Sequence, residues 1–204
     1  VSDGEPMGAG VRSLVKFEGP YVEQAEAIER LMQMTRDDEW GGGLLKAGCG
    51  TGKTVVGLEF AYRVGQRTLI LVHKEFFLNQ WRERIGEFFP GARIGLIQQD
   101  SCEYIGCDFV IGMVQSIARD NGRGSKYPKE MYRAFGVVLS DETHRVGAAT
   151  WAGVANRFHA RWQLGLTATP RRRDGVENVF FWGIGPIEYS MRTRSVSPRI
   201  RRLF

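Results

Sequence analysis

Apolar positions along this chain change their period several times, and the changes outline its elements. From Tyr21 to Met34, Ala25, Ile28, Leu31 and Met32 recur at helical spacing, which predicts an early amphipathic helix. After Gly41-Gly42-Gly43, read as a turn, come short apolar runs at Leu44 to Ala47, Thr68 to Val72, Asp108 to Gly112, Val137 to Ser140 and Gln163 to Thr167. None alternates in and out, as expected of strands covered on both faces in a parallel sheet. Lys53 to Val64, Glu75 to Phe89 and Ala148 to Phe158 have helical length and spacing. The expected fold is α/β, a mainly parallel, doubly wound sheet flanked by helices. Asp120 to Lys129, rich in Gly and Asn, reads as a long surface loop. Residues 1–12 carry almost no apolar pattern and read as a flexible leader, 13–190 as one domain, and 191–204 as a basic C-terminal segment, the start of a linker.

Composition narrows the class. With 204 residues, 43% of them hydrophobic and 25% charged, the chain suits one soluble globular domain and excludes a disordered tract or a repeat fibre. No apolar run reaches the roughly 18 residues of a membrane span and no stretch reads as a signal peptide, so a cytoplasmic or nucleoid-associated protein without a membrane partner is expected. Cys49, Cys102 and Cys107 fit reduced thiols. Cys102-x4-Cys107 without a nearby His has too few ligands for structural zinc. The net charge is +5, and from Arg171 to Phe204 eight arginines stand against three acidic residues, so the whole excess sits at the C-terminal end. Such a surface suits a polyanion.

Two motifs carry chemistry. Ala47-Gly48-Cys49-Gly50-Thr51-Gly52-Lys53-Thr54 follows an expected strand and opens an expected helix, the context that a phosphate-binding loop requires. Its glycines let backbone N–H groups turn inward, Lys53 reaches the β and γ phosphates, and Thr54 supplies a hydroxyl to Mg²⁺. Further on, Val137 to Ser140 empties into Asp141-Glu142-Thr143-His144. Carboxylates at the carboxyl end of a parallel strand lie where such sheets bind ligands. Asp141 suits Mg²⁺, and Glu142 suits orienting and deprotonating the water that attacks a γ-phosphate.

Together these residues resemble superfamily 2 helicases and translocases, in the branch of type III restriction-enzyme motor subunits and excision-repair helicases. The resemblance spans roughly Pro20 to Gly185. Ala47 to Thr54 resembles motif I, Asp141 to His144 a DEAH-type motif II, and Leu164-Gly165-Leu166-Thr167-Ala168-Thr169-Pro170 motif III. It implies a RecA-like P-loop domain that binds ATP and Mg²⁺ through Gly48, Cys49, Gly50, Thr51, Gly52, Lys53 and Thr54, with Gln24 reading adenine as in a Q motif. Coupling to nucleic acid is implied for His144, Thr167, Ala168 and Thr169. Strand contacts are implied for His73, Lys74 and Gln80 of a motif Ia-like segment, for Gln115 and Ser116, and for Arg171, Arg172 and Arg173. The alternatives are that Trp81 is only a core residue and that Gln115 only starts a helix. Ser140 departs mildly from the family, which has an apolar residue there.

The family closes two RecA-like lobes around ATP, and nothing after Pro170 is long enough to be the second. The expectation is therefore an ATP-binding lobe of a nucleic-acid-dependent ATPase, incomplete without that second lobe and weakly active by itself. DNA is expected over RNA as the partner, with little base preference. The alternative is a single-lobe nucleotide or nucleic-acid binding module without productive catalysis. A small-molecule kinase would leave Thr167-Ala168-Thr169 and the adjacent carboxylates without a purpose.

Overall fold

The computed structural model describes residues 2, 4–18, 22–36, 41–48, 50–119, 125–141, 148–168 and 184–191. Cys49, Glu142, His144, Thr169, Arg171, Arg172, Arg173 and the segment 192–204 lie outside the described residues. Among those described, eight strands form one sheet: β1 (Gly41–Lys46), β2 (Thr68–Val72), β3 (Ile94–Gln98), β4 (Ser101–Cys102), β5 (Phe109–Met113), β6 (Val137–Asp141), β7 (Trp162–Thr167) and β8 (Ile187–Ser190). The helices are α1 (Val22–Gln33), α2 (Lys53–Val64), α3 (Glu75–Phe88), α4 (Val114–Ala118) and α5 (Ala148–Ala155), with a 3-10 turn at Lys129–Arg133.

The strand order is β4-β3-β5-β2-β6-β7-β1-β8, and every neighbouring pair is parallel except β3 with β4. Successive side chains of a strand point to opposite faces. Ile70 and Leu139 meet Ile28 of α1, Phe60 of α2 and Trp81 of α3 in one core. Leu69 and Val138 meet Ile117 of α4, Tyr132 and Phe158 in another. Burial on both faces explains the unbroken apolar runs, and each fully buried Leu, Ile or Phe contributes about 1.5–3 kcal/mol. The register sets Lys46 opposite Thr167 and Asp141 opposite Leu166, so β1, β7 and β6 end level with one another.

Three expectations are corrected. Gly41-Gly42-Gly43 is strand, not turn: β1 begins at Gly41 and pairs with Trp162 of β7. A Cβ on Gly41 would lie 2.2 Å from the Trp162 ring, and one on Gly43 2.4 Å from Glu188 Cγ, so the glycines serve close packing between neighbouring strands. Secondly, β3, β4 and β8 had not been expected. They lie toward the sheet's edges, where β3 is buried only at alternate positions and β8 is largely uncovered, so neither produces a continuous apolar run.

Thirdly, the leader is tied down. Ser2 bridges to Ala160, Pro6 to Gln66, the Met7 N–H donates to the Gly65 carbonyl, and the Gly8 N–H donates to Asp108 Oδ1 at 2.7 Å. Residues 65–67, 108 and 160 precede β2, β5 and β7, so this segment forms a strap beneath the amino ends of the strands. Val11 closes it by entering the core. Backbone hydrogen bonds hold most of the strap, and apolar periodicity does not register them.

Candidate nucleotide site

The site begins where β1 stops. Beyond Lys46, the Ala47 N–H donates to the Thr167 carbonyl at 2.9 Å, which fastens the start of the loop to the end of β7. Thr51 Oγ1–H donates to the Gly48 carbonyl at 2.8 Å and curls the loop on itself. Gly52, at φ +83°, is the N-cap of α2 and offers no side-chain cap. The first amides of the helix thus face outward with the positive end of its dipole, the arrangement that receives a phosphate. Lys53 and Thr54 follow directly in the first turn.

Gln24 reaches this loop from α1, its Nε2–H donating to the Thr51 carbonyl at 2.7 Å. A Cβ on Gly52 would lie 2.3 Å from that Nε2. Its left-handed backbone favours glycine, and a side chain there would also push the Gln24 amide off Thr51.

Opposite the loop, Asp141 ends β6 and is only 6% exposed. The Trp81 Nε1–H donates to its Oδ2 at 2.9 Å, a bond between α3 and β6. Gly50, Gly52, Lys53, Thr54, Gln24 and Asp141 line one cleft of about 460 Å³, a size within the usual range for small-molecule sites. A hydroxyl and a carboxylate beside a phosphate cradle are hard oxygen donors and few in number. Such a set suits Mg²⁺, which keeps several waters and takes its other ligands from phosphates.

The rim beyond β2 and β5 holds some of the residues expected at a nucleic-acid strand. Lys74 and Gln115 are exposed there, and Gln115 Nε2–H donates to the His73 carbonyl at 2.6 Å, tying the two segments together. His73 is buried, with its ring tilted against Phe77 at 5.0 Å. Ser116 is buried as well, and its hydroxyl accepts the Gln99 N–H at 2.9 Å, an internal role. Gln80 lines the nucleotide cleft instead of the rim. Thr167 is buried beside the loop, and Ala168 follows it.

Sequence reasoning missed Lys16 and Arg84 in the cleft wall, the latter paired with Glu87 of the same helix, and the bond from Trp81 to Asp141. Phe77, Gln80, Arg84 and Phe88 all line the cleft. Their spacing marks one face of α3, a signal present in the sequence.

Comparison with known proteins agrees with this geometry. The model of the type III restriction enzyme res subunit family matches residues 19–172. A putative ATP-dependent RNA helicase of Acanthamoeba polyphaga mimivirus is 37% identical over 150 residues, covering 74% of this chain and 28% of that protein. The DNA 3'-5' helicase XPB of Kineococcus radiotolerans is 34% identical over 180 residues, covering 83% of this chain and 29% of its own. The chain thus spans under a third of the length of these relatives. In three dimensions it is similar to the SWI2/SNF2 ATPase core of Sulfolobus solfataricus in complex with double-stranded DNA. That match has a TM-score of 0.64 at 16% identity and covers 89% of this chain and 37% of the other. The chain belongs to the type III restriction enzyme res subunit family of superfamily 2 helicases, as a RecA-like lobe.

Proposed function

We propose that this chain is the ATP-binding motor lobe of a nucleic-acid-dependent ATPase, working on DNA and completed by a second RecA-like lobe. The observation that carries this reading is the single cleft that gathers Lys53, Thr54 and Gln24 against Asp141. The loop amides and Lys53 hold the β and γ phosphates, while Thr54 and Asp141 hold Mg²⁺, which would neutralise charge on those phosphates. Glu142, next in the chain, is assigned the attacking water. Gln24 secures the loop through the Thr51 carbonyl and is assigned to the base.

Thr167 supports the coupling role. Its carbonyl holds the Ala47 N–H, so a displacement of the segment after β7 is felt at the phosphate loop. Lys74 and Gln115 at the rim, with Arg171, Arg172 and Arg173, are assigned to the nucleic-acid backbone, and His144 and Thr169 to the link between the two sites. The preference for DNA rests on the Kineococcus relative, a DNA helicase by name, whereas the mimivirus relative is named for RNA.

The test is nucleotide binding and steady-state hydrolysis by the chain and by Lys53→Ala, without nucleic acid and with single-stranded DNA, duplex DNA or RNA. Binding is expected to fall at least about tenfold in the variant, the scale of one lost charge-assisted phosphate contact. Turnover by the wild-type chain is expected to be very low, because an arginine from the second lobe is worth roughly 10³ to 10⁵ in rate. Equal binding by both proteins would remove the nucleotide site, and brisk DNA-stimulated turnover by demonstrably monomeric chain would remove the need for a second lobe.

A further inference from the structure

Trp81 lies on α3, fully buried, and spends its indole N–H on Asp141. Packing alone does not call for a donor here, since Phe would fill much of the same space in an apolar core. An indole nitrogen can donate and cannot accept. Its bond therefore suits a carboxylate oxygen and fixes the rotation of that group about Cβ–Cγ. Asp141 is also the carboxylate that lines the same cleft as Lys53 and Thr54.

We propose that Trp81 is a positioning residue for the metal: through Nε1–H to Oδ2 it holds Asp141 in the orientation that receives Mg²⁺ with the nucleotide. The proposal rests on the nucleotide-site reading above. Partners standing behind a metal-binding group fix its geometry and govern affinity without touching the ion. Trp81 does so from a helix whose N-cap is Lys74, at the exposed rim.

The measurement is the affinity of a fluorescent ADP analogue with Mg²⁺ and with EDTA, for the wild-type chain and Trp81→Phe. The gain in affinity that Mg²⁺ brings should drop about tenfold or more in the variant, the scale of a lost partner behind a metal ligand, while metal-free affinity stays within about twofold. In an Asp141→Asn background the same substitution should change the Mg²⁺ gain no further. A variant that weakens both affinities alike, or neither, would show that Trp81 only fills space and would overturn the proposal. A wild-type chain that binds no nucleotide under either condition would overturn the nucleotide-site reading and the proposal with it.

Should Trp81→Phe fail to fold, the five indole N–H signals of ¹⁵N-labelled chain supply the answer. One of them should move on Asp141→Asn, and the same one should move when Mg²⁺ is added to the ADP complex. No shared signal would overturn the proposal.

Discussion

At Gly52 two demands meet in one residue. The left-handed backbone turns the loop into α2, and the missing side chain leaves room for the Gln24 amide that holds Thr51. Gly52→Ala forces a choice between them, at a cost of about 1–3 kcal/mol in backbone strain alone. Nucleotide affinity is expected to fall about tenfold or more, since each 1.4 kcal/mol is a factor of ten. The same strain is expected to lower thermal stability by no more than about 1–3 kcal/mol; titration with ADP analogue beside a melting curve separates the loss at the site from the loss in the fold. Ser116 and Gln115 teach a related point about neighbours. Adjacent in sequence, one is buried against the Gln99 N–H and the other is exposed at the rim, so a shared motif gave them a shared role that their directions divide.

The elements show which signals survive the passage from sequence to structure. α2 and β2 have the bounds that periodicity predicts, because both are central and covered by apolar neighbours. The glycine triplet did not read as strand, since its reason lies in Trp162 and Glu188 on other strands. Gly41→Ala places a methyl group into the Trp162 ring, and the expected loss is about 1–3 kcal/mol, the usual cost of overpacking. Chemical denaturation, with the midpoint falling at an unchanged slope, checks it. The site was legible in the same uneven way. The phosphate loop and Asp141 come together because the loop follows β1 and Asp141 ends β6 on the same rim, which motif order implies. The contact of Trp81 with Asp141 joins residues 60 apart and depends on how α3 is rotated over the sheet, which no local pattern reports. α3 presents Phe77, Gln80, Arg84 and Phe88 to the cleft and carries Lys74 at its start, so any shift of this helix moves both ends of the proposed machinery.

For the whole molecule, the strap is tied to the amino ends of three strands by bridges and hydrogen bonds. Asp108 anchors it: the buried carboxylate accepts the Gly8 N–H at Oδ1 and the Arg93 N–H at Oδ2, each at 2.7 Å. Asp108→Ala strands both donors, and at about 1–3 kcal/mol for an unsatisfied group the expected result is a clear drop in stability. A lower melting temperature, with faster proteolytic cleavage near Gly8 than in the wild-type chain, is the outcome to look for. An unchanged melting temperature would mean that the strap contributes nothing to the fold. Among the described residues no helix is long and apolar enough to cross a membrane. The strap also imposes an order in time. Ser2 is bonded to His159 and Arg161, so its place does not exist until nearly the whole sheet has been made. At synthesis rates of about 5–20 residues per second, residue 161 is joined to the chain roughly eight seconds or more after residue 2. Through that interval the earlier segment waits on the nascent chain without its partners, and translation speed sets how long the underside of the sheet stays open.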